Sequence, residues 1–218
     1  MKEAYFTPQN IAAKSQEFSE LAGVQRSCRF EYVPAKSALL VLDMQRYFLD
    51  EKSHASIPSA AAIIPGLLEL SEGYRQKGLP VIFTRHLNDS GNAAMMDKWW
   101  QELITNDNPL GEIDSRFKAE VVIEKAQYDA FHDTDLEEVL RGRNVSQVVV
   151  CGVMTHLCCE TTTRSAFMRG FEVFFPVDGT ATYNEQFHRA TLLNLSHGFA
   201  ELAMVEDLLR RLRQADEN

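Results

Sequence analysis

Three things are scarce in this sequence, and each absence narrows what it can be. No apolar run approaches the ~20 residues that a membrane-spanning helix needs. Basic residues are outnumbered, 22 Lys and Arg against 31 Asp and Glu, and the formal net charge of −9 argues against a nucleic-acid partner, which selects a clustered basic face. Cysteine occurs four times in 218 residues. Cys151, Cys158 and Cys159 are crowded together, Cys28 stands apart, and adjacent cysteines rarely bridge without strain, so a reduced, cytoplasmic chain is expected rather than a disulfide framework. Met1 to Tyr5 lacks the apolar core of a signal peptide. No glycine-rich phosphate loop follows any predicted strand, so no nucleotide cofactor is expected. Neither repeats nor low-complexity tracts occur.

What is present is a chain with 45% hydrophobic residues, enough for one full core. Its centre is Val148 to Cys159. Val148, Val149, Val150 and Val153 with no intervening charge read as an inner strand of a parallel sheet. A tight turn is expected at Gly152, then a helix from near Thr155 toward Met168, with the Thr155 hydroxyl as its cap. Cys158 then falls in the first turn, where unpaired amides and the helix dipole favour a thiolate and can hold an oxyanion. The plainer reading is packing, because free cysteine is among the most buried residue types.

Pro8 to Gly23 reads as an amphipathic helix with Ile11, Phe18 and Leu21 on one stripe, an extension packing on the body or on a neighbouring subunit. Residues 1–35 are taken as this helical extension and 36–218 as the main domain. Ala38 to Leu42 is a fully apolar strand ending in Asp43, at the strand end where open α/β sheets gather ligands. A turn aspartate is the alternative. Ser59 to Lys77 carries a helical stripe closed by Gly78. Pro80 to Thr84 is the second strand, with His86 just after it either a ligand contact or an exposed loop residue. Asn88 to Phe117 is long and polar, and its Trp99-Trp100 pair suits a pocket lid or an oligomer contact. Ala119 to Lys125 is a third strand ending in lysine, ordinarily a solvated charge. Asp135 to Arg141 and Asn184 to His197 read as helices, Phe171 to Asp178 as a strand and turn, Ala200 to Met204 as an edge strand and Val205 to Leu212 as a closing helix. The alternation predicts an α/β fold: a three-layer α/β/α, Rossmann-like arrangement with a mostly parallel, doubly wound sheet.

Gly152-Val153-Met154-Thr155-His156-Leu157-Cys158 resembles the G-[VI]-x-T-x-x-C signature of the isochorismatase-like hydrolase superfamily, in its cysteine hydrolase branch. Asp43-Met44-Gln45-x-x-Phe48 and Lys125-x-x-Tyr128-x-Ala130-Phe131 resemble its other two motifs, in the right order over roughly residues 36 to 208. The resemblance implies an Asp43, Lys125 and Cys158 triad, an oxyanion hole from the Met154 and Cys158 amides, and a cis peptide at Val153–Met154. It places Phe48 in the substrate pocket, with His86, Tyr128 and Phe131 as further candidate substrate contacts, and Trp100 joins them if the tryptophan pair is a pocket lid. Lys125 would hold Asp43 ionised and lower the thiol pKa. Nicotinamidases of this family bind a metal through Asp-x-His and a further His. The loop here offers His86 with no spaced partner, so no metal is expected.

True isochorismatases carry glycine where this chain has Cys158. The resemblance therefore implies cleavage of a small-molecule amide or carbamoyl C–N bond through a Cys158 thioester. Vinyl ether hydrolysis by Asp43 without a covalent step is the alternative, and a non-catalytic oligomeric binding protein is the third. It also implies a homo-oligomer, dimer or tetramer.

Overall fold

The computed structural model describes residues 1–23 and 29–214, so Cys28 lies outside the described residues. Seven strands form one sheet: β1 (Ser37–Leu42), β2 (Val81–His86), β3 (Val122–Lys125), β4 (Gln147–Val153), β5 (Glu172–Pro176), β6 (Thr180–Ala181) and β7 (Glu201–Ala203). The order is β3-β2-β1-β4-β5-β7, with β6 continuing alongside β4, and every strand pair is parallel. The flanking helices are α1 (Ile11–Leu21), α2 (Arg46–Leu49), α3 (Ala60–Gln76), α4 (Met96–Trp99), α5 (Leu136–Gly142), α6 (Glu160–Met168), α7 (Glu185–Gly198) and α8 (Val205–Gln214). This is the three-layer α/β/α arrangement that the alternation of patterns predicts.

The central strands are apolar because both faces are covered. Every residue of β1 and of β4 is buried. Each large aliphatic side chain so removed from water contributes roughly 1.5–3 kcal/mol. The edge strand β3 alternates exposed and buried instead, and is shorter than the strand expected from Ala119 to Lys125. Its pairing with β2 begins at Phe83 opposite Val122.

Gly152 is not a turn. It lies within β4 opposite Leu42, with φ at +110°, and a Cβ there would stand 2.1 Å from the Leu42 carbonyl oxygen. Close backbone approach, rather than chain reversal, is what requires glycine.

Residues 1–21 join the same core. Tyr5, Phe6 and Phe18 are buried around the His188 ring, with centroids 5.2 to 5.6 Å from it. Leu21, assigned to the buried stripe of α1, is instead 50% exposed, because the helix ends there and the chain turns out through Gly23 at φ +72°. No helix among the described residues is long and apolar enough to cross a membrane.

Candidate active site

The strand order reverses between β1 and β4: the chain winds outward from β1 through β2 to β3, then returns to the other side of β1. The carboxyl ends of two strands on either side of such a reversal bound a natural crevice. Asp43 follows β1 and the turn carrying Cys158 follows β4. Asp43 adopts φ +51°, a left-handed conformation that aspartate tolerates better than most residues. Its amide donates to Thr84 Oγ1 at 3.1 Å, and the Thr84 hydroxyl donates to Oδ1 at 2.6 Å. The other oxygen, Oδ2, has no well-directed hydrogen bond and faces the Lys125 ammonium at 2.8 Å.

Lys125 ends β3, which is two strands from β1 and so about 10 Å away at the usual spacing. The long lysine stem bridges that distance across the end of β2, where His86 is its register partner. Nζ lies 2.8 Å from Asp43 Oδ2, 3.4 Å from Cys158 Sγ, 3.0 Å from the Gln127 carbonyl and 3.4 Å from His86 Nδ1. Burial is the largest influence and opposes its charge, but the Asp43 carboxylate and the Cys158 sulfur together outweigh it, and the ammonium is held above its ordinary range. Burial likewise pushes the Asp43 carboxyl up. Lys125 first, then His86 and the Cys158 thiol, more than reverse this and hold it below its usual value.

His86 is buried, and burial followed by the Lys125 charge draws it down to about 4, so it is neutral at pH 7. Asn88 fixes its tautomer. The amide Nδ2 of Asn88 donates to the Ala126 carbonyl, which turns Oδ1 toward His86 Nε2 at 2.8 Å. Nε2 then carries the proton and Nδ1 receives the lysine. Gln45 ties these parts together: it accepts from the His86 amide at 2.8 Å and donates to the carbonyls of His86 and Gly111.

After the cis peptide Val153–Met154, residues Thr155–Cys159 form a π-helical turn that runs into α6. The Leu157 and Cys159 amides both donate to the Met154 carbonyl, at 3.0 and 3.2 Å. Thr155 does not cap this helix. Met154 precedes the turn without a side-chain cap, and the Thr155 hydroxyl lies 3.2 Å from His188 Nδ1, itself bonded to the Tyr5 hydroxyl. The expected thiolate is also corrected. Burial and then the nearby Asp43 charge push the Cys158 thiol up to about 12, and the pull of Lys125 does not offset them. The resting groups are therefore a carboxylate, an ammonium and a protonated thiol, with the ammonium 2.8 Å from the carboxylate and 3.4 Å from the sulfur.

Cys158 is 7% exposed, at the floor of a cavity of about 200 Å³. Phe48, His86, Trp100 and Tyr128 line it, as do the side chains of Met154 and Leu157. Trp100 Nε1 donates to the Tyr128 hydroxyl at 2.9 Å, whereas Trp99 is 73% exposed, so the tryptophan pair divides between cavity and solvent. Phe131 does not line the cavity. Its ring stacks on Phe171 at 5.9 Å beneath the Arg169 guanidinium, because the chain turns inward after Tyr128 and carries Phe131 to the core. Tyr47, His54, Glu102 and Tyr183 also line the cavity, and Thr84 orients Asp43. The sequence reading missed these five. Tyr47 lies inside the Asp43 motif, which was signal enough, but nothing local marks the other four.

The arrangement matches a known family. The Isochorismatase domain model matches residues 37–207. Nicotinamidase 3 of Arabidopsis thaliana is 40% identical over 183 residues, which span 81% of this chain and 88% of that protein. A cysteine hydrolase from Pseudomonas syringae pv. phaseolicola superposes with a TM-score of 0.80 at 27% identity, covering 86% of this chain and 97% of that one. A pyrazinamidase of Pyrococcus horikoshii in complex with zinc superposes with a TM-score of 0.69 at 26% identity, covering 78% and 99%. The residues here do not fit a metal. Among the described residues no three His, Cys, Asp or Glu side chains group as metal ligands, and both His86 nitrogens are engaged, one facing an ammonium. The chain belongs to the isochorismatase family of hydrolases.

Proposed function

We propose that this hydrolase cleaves the C–N bond of a small planar carboxamide of the nicotinamide kind, through a thioester on Cys158. The observation that carries the reading is the meeting of three groups at the cavity floor: Lys125 Nζ stands 2.8 Å from the Asp43 carboxylate and 3.4 Å from the Cys158 sulfur. The similarity to a nicotinamidase supports the choice of substrate.

In the proposed sequence Asp43 Oδ2 takes the thiol proton as the sulfur attacks the carbonyl carbon. This coupling replaces a preformed thiolate, which a thiol pushed up to about 12 does not supply. The Met154 and Cys158 amides hold the developing oxyanion, and loss of one such donor typically costs on the order of 10²–10³ in rate. The tetrahedral adduct collapses, the C–N bond breaks, and Asp43 returns the proton to the departing ammonia. Water then attacks the thioester, giving its proton to Asp43, and the acid and the thiol are released. Lys125 remains the counter-ion of Asp43 throughout.

The test is turnover of nicotinamide and benzamide by purified protein, with mass spectrometry of the quenched reaction. An acyl adduct on the Cys158 peptide, absent from Cys158→Ala, is expected. Undiminished turnover by Cys158→Ala would remove the thioester and return the chemistry to Asp43 alone.

A further inference from the structure

The cavity floor is electrically balanced and its wall is not. At the floor, the Lys125 ammonium has four acceptors for its three N–H bonds and is neutralised by Asp43 at 2.8 Å. Nothing of that cation is left for a substrate carboxylate. His86, the neighbouring ring, is neutral. Among the described residues that line the cavity there is no lysine or arginine, and Glu102 is the one acidic side chain. Its Oε2 lies 3.1 Å from His54 Nε2, which is hydrogen-bonded to the Tyr47 hydroxyl at 2.7 Å, and its Oε1 accepts from Asn108 Nδ2 at 3.4 Å. Glu102 and His54 are 51% and 39% exposed, against 7% for Cys158, so they form the rim above the nucleophile. Lys2 reaches the outside of this rim. It donates to the His54 carbonyl and lies 4.4 Å over the Tyr183 ring, outside the cavity lining.

From this distribution we infer that Glu102, beside His54 at the rim, is a specificity-determining residue that makes the cavity accept uncharged and cationic amides and reject those bearing a carboxylate. The inference rests on the amidase reading and deepens it. A carboxylate entering the cavity meets Glu102 at the rim, finds no free cation below, and approaches a protein of net charge −9. An ammonium-bearing amide meets the opposite field. Because Glu102 is half in water, the effect is moderate, about three- to fivefold for each sign of charge.

The experiment compares three amides of similar shape at pH 7: benzamide, 3-carbamoylbenzoate and 3-(aminomethyl)benzamide. The readout is the ratio of kcat/KM for the ammonium amide to that for the carboxylate amide, in which any general loss of activity cancels. Wild type is expected to favour the ammonium amide, Glu102→Gln to lower the ratio about tenfold, and Glu102→Lys to reverse it. Equal turnover of the two charged amides by wild type, or a ratio unmoved in Glu102→Gln, would overturn the inference. Calorimetric binding of the same amides to Cys158→Ala separates it from the amidase reading. Tighter binding of the ammonium amide without turnover by wild type upholds charge selection and ends the amidase reading. Absence of binding by all three ends charge selection.

Discussion

Lys125 Nζ and Asp43 Oδ2 are 2.8 Å apart, and neither side chain has any solvent exposure. A pair this deep gains little net stability from its attraction, since both ions lost their hydration. Breaking it is another matter. Lys125→Met leaves a buried carboxylate without its counter-charge and is expected to lower unfolding free energy by about 3–5 kcal/mol in urea titration. The double variant Asp43→Asn with Lys125→Met is expected to regain part of that loss. A purely additive double variant would mean that the two groups do not act as a pair.

Cys158→Ala removes the nucleophile and little else. Turnover is expected to fall on the order of 10⁴-fold or more, while the urea midpoint moves little, because the sulfur faces a cavity rather than packed core. Loss of folding along with activity would assign Cys158 to the core.

The pKa shifts set two pH limits. The Asp43 carboxyl lies below its ordinary 3.8 in the folded protein, so the stability it contributes is present above about pH 4 and is lost as pH falls through the folded value. The Cys158 thiol is raised from 9.0 to about 12, so its contribution is fully present below 9.0 and is lost as pH rises through the folded value. Between about pH 7 and about pH 10.5 wild type is expected to lose more stability than Cys158→Ala. Over roughly pH 5 to 8 a plot of kcat/KM should be level, without the near-tenfold rise per pH unit that a free thiol of pKa ~8.5 gives as its thiolate fraction grows.

Gly152 tests the reading of close approach. A Cβ would meet Leu42 backbone atoms at 2.1, 2.7 and 2.9 Å, on a backbone with φ +110°. Gly152→Ala is expected to cost more than about 4 kcal/mol, seen as loss of soluble protein or a sharply lowered Tm.

The two tryptophans separate cavity from surface. Trp100→Ala opens the wall above Tyr128 and should raise KM about tenfold or more, while Trp99→Ala, at a side chain 73% exposed, should leave KM unchanged. Equal effects would mean that both rings meet the substrate.

Much of this was legible before any coordinate. The run from Ala38 to Leu42 and the valines of β4 could satisfy their composition only as covered parallel strands, and both proved wholly buried. Asp43, Lys125 and Cys158 could be picked out because the motifs around them resemble those of the family, and each stands at or just after a strand end, where parallel strands deliver their carboxyl ends to one edge. Other features were invisible because they depend on proximity between remote segments. β6 is two residues long, too short for a periodic signal. Thr155 looked like a helix cap until His188, far along the chain, claimed its hydroxyl. Phe131 lay in the right motif but on the wrong side of a turn.

Residue order alone thus dictated which chemical groups this protein possesses and which strand ends carry them, since hydrophobic period and motif spacing are local properties of a chain. The protonation of the sulfur, the reach of lysine across β2 and the acidic rim at Glu102 were settled by folding. Each depends on the distances and the local dielectric between groups that the chain keeps far apart, and neither quantity exists until those segments pack.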